Sequence, residues 1–149
     1  MKRYITLLLI FFIGRVQSNA QAYMQIGAGY STLNHPTAEL AAGYNAGPVF
    51  VQGGYLAHVS RDVEAGASIN GRLGSRVIRR GGGTDGTWMV EPSVGYAYTL
   101  RSTDKKCLNT SGIIGSLYVG KEINQGVLLL GGNYTEKTFI ISLAIRYNF

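Results

Sequence analysis

A single cysteine, Cys107, excludes a disulfide-stapled scaffold. Three prolines, and glycines that keep no three-residue period, exclude a collagen-like chain. Charged residues make up only 15% of the chain, well below the roughly 25% typical of soluble domains. Sparse charge together with 11% aromatic residues also excludes a disordered chain, which needs the opposite balance. Two histidines and one cysteine are too few for a zinc site. Beyond the N-terminal segment no stretch carries an apolar stripe at the 3.6-residue spacing of a helix, and glycines interrupt every candidate. What is abundant is glycine itself: 21 of 149 residues, about twice the usual share.

The first 22 residues have the order of a secretory signal peptide. Lys2 and Arg3 precede an apolar run from Ile5 to Ile13, and small residues follow. Cleavage after Ala20 or after Ala22 fits the small-x-small rule. The apolar core is nine residues, short of the roughly 20 that a spanning helix needs. Cleavage would remove Lys2, Arg3 and Arg15, leaving 11 basic against 8 acidic residues, a net +3. That is a poor footprint for nucleic acid, so the overall basicity carries no such meaning and no nucleic-acid partner is expected. Export is the expectation, with residues 23–149 as one domain.

Within that domain the recurring period is two. Phe139, Ile141, Leu143, Ile145, Tyr147 and Phe149 share one face, and Thr138, Ile140, Ser142, Ala144, Arg146 and Asn148 share the other. A second run sets Trp88, Val90, Pro92, Val94, Tyr96, Tyr98 and Leu100 against Thr87, Met89, Glu91, Ser93, Gly95, Ala97 and Thr99. Such runs are longer than the five or six residues usual in globular sheets and match the 9–11 of a tilted membrane-spanning strand. Turn signals divide the chain into eight predicted strands: 22–32, 37–45, 49–58, 63–76, 87–100, 111–121, 127–134 and 138–149.

Alternation alone does not say which face meets water. A soluble, lipocalin-like barrel would turn the apolar face inward, whereas a membrane barrel turns it to lipid. The polar set here is Gly, Ser, Ala, Asn and Thr with isolated charges, not the Lys- and Glu-rich set of a wetted surface. Small residues with scattered charges of both signs suit the narrow, side-chain-filled interior of eight strands. Glu39, Glu64, Arg72, Glu91 and Arg146 are therefore expected to share the lumen as an ion-paired plug, because lone buried charges are costly. Aromatics near strand ends (Tyr23, Tyr30, Trp88, Tyr98, Tyr147, Phe149) fit interfacial girdles on the apolar face. The fold expected is an all-β, antiparallel, up-and-down transmembrane β-barrel, eight strands being favoured over ten.

With a signal peptide, glycine-rich alternating strands and the terminal run Arg146-Tyr147-Asn148-Phe149, the chain resembles the small eight-stranded outer-membrane β-barrel proteins of Gram-negative bacteria. The resemblance covers the whole mature chain by pattern and implies residence in the outer membrane. It implies contact with its lipid and lipopolysaccharide. In that family a C-terminal aromatic with alternating apolar residues is read by the barrel-assembly machinery, which Phe149, Tyr147, Ile145, Leu143 and Ile141 match. Similar barrels serve in adhesion, in envelope stability or as parts of a transfer or secretion apparatus. A structural or surface-interaction role through the loops, without catalysis or cofactor, is the expectation.

Candidate chemistry is thin. His58, Ser60 and Glu64 form the one His-x-Ser arrangement with a nearby carboxylate. An outer-membrane lipid A deacylase family uses such a pair with a glutamate on an eight-stranded barrel, although near the C-terminus and not mid-chain. A lipid-modifying enzyme is thus the alternative in a second class. Catalytic, cofactor and metal residues are otherwise expected to be absent. Arg76, Arg79 and Arg80, and separately Lys105 and Lys106, form basic clusters able to meet lipid phosphates. Two irregularities stand out. Val77 to Gly86 is a long connection at the end where short turns are expected, unless the flanking strands extend into a tall hairpin. Pro92 removes a ladder hydrogen bond mid-strand and signals a bulge.

Overall fold

A computed structural model of the chain describes residues 20–32, 35–59, 64–80, 87–102, 111–123, 126–136 and 138–149. Residues 1–19, which hold most of the expected signal peptide, and Ser60, Lys105, Lys106 and Cys107 therefore lie outside the described residues. Among those described there is no helix, and the backbone forms nine strand segments. They are β1 (Ala20–Ser31), β2 (Pro36–Ala46), β3 (Val49–Val59), β4 (Glu64–Ser75), β5 (Val77–Arg80), β6 (Thr87–Ser102), β7 (Gly112–Ile123), β8 (Gly126–Thr135) and β9 (Thr138–Asn148). Chain neighbours pair antiparallel, except that β4 pairs with β6 and not with β5, and β1 pairs with β9. The sheet is thereby closed on itself. Closure leaves no open edge around the wall, the condition under which a sheet can sit in lipid without unpaired backbone groups. β1 begins at Ala20, three residues ahead of Tyr23, and the Phe149 amide donates to the Ala22 carbonyl at 2.9 Å, joining the start of β1 to the end of β9.

Nine segments make eight staves. β5 continues β4 after one unpaired residue, Arg76, and both lie against β6. Gly74 faces Ser93 and Val77 faces Val90, so three steps on one strand match three on the other and the register survives the break. Pro92 sits on β6 within this interval. Its missing N–H thus coincides with an interrupted ladder and not with the bulge its position suggested. The register shifts that do occur lie at His58/Val59 and Ala67/Ser68. β5 also resolves the long connection after Val77: the β5–β6 pair is the tall hairpin, and residues 81–86 alone link it. Eight staves, not ten, account for the chain.

Burial inverts the pattern of a soluble protein. Along β9, Ile141, Leu143, Ile145 and Tyr147 point outward, whereas Ser142, Ala144 and Arg146 are buried. The same phase holds around the wall: Ile26, Leu40, Val51, Leu73, Val94, Leu117 and Leu130 face out, and Gln25, Glu39, Gln52, Arg72, Glu91, Ser116 and Asn133 face in. Val94 and Leu130 each keep 58% of their surface exposed, while Arg146 keeps 1%. The lipocalin-like arrangement is therefore excluded, and the fold is that of a transmembrane β-barrel with its polar face inside.

Several inward positions carry large apolar groups, Leu129 and Tyr23 among them. Leu128, Leu129 and Leu130 break the alternation in sequence but not in space. Leu129 is fully buried and packs with Met89, Tyr118, Val127 and Ala144 inside the bore. Gly120 makes that cluster fit, because a Cβ there would lie 2.7 Å from Leu129 Cδ2. Tyr23 also turns inward, 1% exposed, which corrects its expected place in the outer aromatic girdle. It faces Gly43 on β2, where a Cβ would meet the Tyr23 ring at 2.6 Å. Tyr30, Trp88, Tyr98, Tyr147 and Phe149 do face outward.

Candidate functional site

The lumen is the only place where chemistry-bearing side chains converge among the described residues, and it has three parts. Nearest the chain ends, Glu91 on β6 receives two guanidinium groups at Oε1, Arg146 Nη1 and Arg76 Nε, each at 2.6 Å. Arg146 also donates to Gln25 Oε1 at 2.9 Å and lies over the Tyr23 ring, 4.3 Å from its centroid, with Phe50 beyond at 5.8 Å. Arg76 reaches Asn45 Oδ1 at 3.1 Å, and the Tyr23 hydroxyl donates to Gln52 Oε1 at 2.9 Å. A guanidinium held between aromatic faces and a carboxylate keeps its charge satisfied away from water. This corrects the expected role of Arg76, whose side chain turns into the bore instead of outward to lipid phosphates. Arg79 and Arg80 belong to β5, but their side chains lie outside the described set.

The middle part is built on Arg72 of β4. It pairs with Glu39 on β2 and donates to Asn133 Oδ1 at 2.8 Å and to Ser116 Oγ at 3.4 Å. Asn133 Nδ2 donates to the Tyr118 hydroxyl at 3.0 Å, and that hydroxyl shares a hydrogen bond with Ser142 Oγ at 2.8 Å. Ser93 and Ser116 hydroxyls are hydrogen-bonded to each other. These two parts tie together side chains from all eight staves. The expected ion-paired plug is borne out for Glu39, Arg72, Glu91 and Arg146, while the side chain of Glu64 lies outside the described set. Single atoms stay unpaired, Arg72 Nε, Arg146 Nε and Glu91 Oε2 among them, yet every buried charged side chain among the described residues holds a partner of opposite sign.

The third part lies toward the other end of the barrel, where β1 meets β2, β3 meets β4 and β8 meets β9. Its inward groups are Ser31, Thr37, His58, Ser68, Thr135 and Thr138, all buried. Ser31 Oγ, Ser68 Oγ, Thr138 Oγ1 and both ring nitrogens of His58 have no hydrogen-bond partner among the described residues. Sequence reasoning gave His58 a catalytic alternative with Ser60 and Glu64. The imidazole is 2% exposed and inside the bore, so it does not stand on the lipid-facing surface where an acyl chain would lie. His35 lies just ahead of β2 at the same end, its carbonyl accepting from the Ser31 amide at 2.9 Å. Sequence reasoning missed Tyr23, Asn133 and Tyr118 as lumen partners. Their inward phase was readable from alternation, but their partners lie 15 to 94 residues away.

No protein-family model matches the chain, and no curated protein matches its sequence. The fold does have solved counterparts. A structure described under the de novo design of transmembrane β-barrels aligns with a TM-score of 0.63 at 16% identity, covering 89% of this chain and 98% of that one. The solution NMR structure of the de novo designed TMB2.3 aligns with the same score and identity over 88% and 96%. The crystal structure of Neisserial surface protein A aligns with a TM-score of 0.42 at 16% identity, over 87% and 96%. The two designed barrels bear on the fold alone, and they agree with the closed transmembrane β-barrel described above.

Proposed function

We propose that this chain is an outer-membrane β-barrel of a Gram-negative envelope, exported by its N-terminal segment and acting without catalysis as a structural or surface-interaction protein. One observation carries the reading: the barrel is inside out by the standards of a soluble protein. An apolar wall so extensive is stable only against hydrocarbon, and the ion-paired lumen leaves the bore filled and closed to conduction. Contact with lipid and lipopolysaccharide follows from that wall. Insertion through the barrel-assembly machinery would use the strand that ends at Phe149. Partner contact, in adhesion, envelope stability or a transfer or secretion apparatus, would fall to the connections opposite the chain ends. Neither a cofactor nor nucleic acid enters this reading.

The test is fractionation with heat modifiability. The full chain is expressed in a Gram-negative host, and boiled and unboiled outer membranes are compared on SDS gels. Recovery in the outer membrane with a heat-dependent mobility shift is the expected result. Recovery in the soluble periplasm without a shift would overturn the reading. His58→Ala tests the enzymatic alternative, since a lipid A profile unchanged by expressing either form removes it.

A further inference from the structure

Closure of the wall leaves one stretch of strand outside it. β4 pairs with β3 as far as Ser75, opposite Val49, and the Arg76 amide donates to the Pro48 carbonyl at 2.6 Å as the last bond on that side. There the β2–β3 connection turns away through Gly47, at φ +60°. β5 runs on past this turn, and among the described residues its backbone pairs with β6 alone. Its other edge is therefore unpaired over Val77–Arg80, roughly 13 Å of strand at about 3.3 Å per residue. Every second residue of a strand turns its N–H and C=O to a given side, so this edge offers about two of each. Within the wall one of two successive residues is buried, as Arg72 is beside the exposed Leu73. On β5 Val77 and Ile78 are both exposed, 62% and 51%, so neither face of this strand is covered.

We propose that the free edge of β5 is a docking site for an extended, acidic peptide segment of a partner protein, which adds to the β5–β6 hairpin as a further strand. In this mode of recognition main-chain hydrogen bonds supply affinity and side chains select the partner. Selection here follows from charge. The segment Val77-Ile78-Arg79-Arg80 holds two arginines and no acid, and Arg76 just before it is already paired with Glu91 inside the bore. A second copy of the same edge would set arginines against arginines, and charge of this kind is how exposed edges are kept from pairing with themselves. A strand bearing glutamate or aspartate meets the opposite condition. Val77 and Ile78 leave apolar surface on either face for its alternate side chains. The site lies at the end where β1 begins and β9 finishes, apart from the connections at the opposite end. The inference needs only the closed barrel and β5, and is independent of the envelope role proposed above.

The experiment uses the folded barrel in zwitterionic micelles, its folding read from heat-dependent mobility. The probe is a short labelled peptide alternating glutamate with valine and threonine, titrated by fluorescence anisotropy, with amide hydrogen exchange followed in parallel. Saturable binding and slowed exchange of backbone amides within Val77–Arg80 are the expected results. The double change Arg79→Glu with Arg80→Glu should weaken binding by about tenfold, the worth of two surface ion pairs. It should also strengthen binding of the matching peptide that carries lysine in place of glutamate. A peptide of equal charge interrupted by adjacent prolines cannot pair along a strand edge and should not bind. Absence of saturable binding would overturn the proposal, and so would equal binding of the proline peptide, which would reduce the contact to charge alone. If these amides respond to anionic phospholipid added to the micelles and not to the peptide, the segment is a lipid contact and the proposal fails.

Discussion

The two ends of the lumen are built from the same alternation and yet differ in kind. Toward the chain ends and through the middle, Arg146, Arg76, Glu91, Arg72 and Glu39 are locked to one another and to amides, hydroxyls and rings. Toward the opposite end, the side-chain polar atoms of His58, Ser31, Ser68 and Thr138 have no hydrogen-bond partner among the described residues. A network spanning all eight staves, with the small apolar cluster around Leu129, takes the place of a larger apolar core, since most of the large apolar residues are committed to the outside. The opposite end carries no such ion-paired links among the described residues.

That contrast can be broken most severely at Glu91. Glu91→Ala strands two buried guanidinium groups, and removing one side of a buried pair costs about 3–5 kcal/mol. A large fall in the urea midpoint of the folded barrel in lipid vesicles is the expected result. A loss below 1 kcal/mol would mean that water already solvates Arg146 and Arg76. On the outer wall, Leu143→Arg places a charge near mid-strand against hydrocarbon, at an expected cost of about 2–4 kcal/mol. In the same vesicles a neutral outcome would say that this face meets water.

Gly43→Ala sharpens the comparison inside the paired end. Its Cβ would collide with the Tyr23 ring and the Val51 carbonyl, and overpacking of this kind costs about 1–3 kcal/mol. The expected signature is a lower unfolding midpoint together with altered near-UV dichroism from the displaced ring. The smallest effect should come from Ser68→Ala at the other end. Its hydroxyl has no partner among the described residues to lose, so the change should stay within about 0.5 kcal/mol. A penalty as large as that of Gly43→Ala would show an ordered water bound there and erase the distinction between the ends.

Much of this architecture was legible beforehand. Strand positions and the inward phase of Glu39, Arg72, Glu91 and Arg146 follow from period two, because a strand has only two faces and a charged residue on the small-residue face has one place to go. Tyr23 and Arg76 were misread for a shared reason. An aromatic near a strand end and an arginine in a basic run look like interfacial residues by composition. Their direction instead depends on phase and on what stands opposite: a glycine beneath Tyr23, and Glu91 across from Arg76. Leu129 is the converse case, an apolar residue inside, explained only by the cluster that Gly120 leaves room for.

By itself, the amino-acid order determined the strands, their spacing and the polarity of their two faces, since alternation and turn chemistry are local properties of the chain. Closure decided the rest. Which stave faces which across the bore joins residues as far apart as Gln25 and Arg146, 121 positions in sequence. Pairing across a closed lumen depends on the circumference and register of the whole sheet, which no local segment encodes. The division of the lumen into ion-paired layers and an end without ion pairs among the described residues exists only once the eight staves have met.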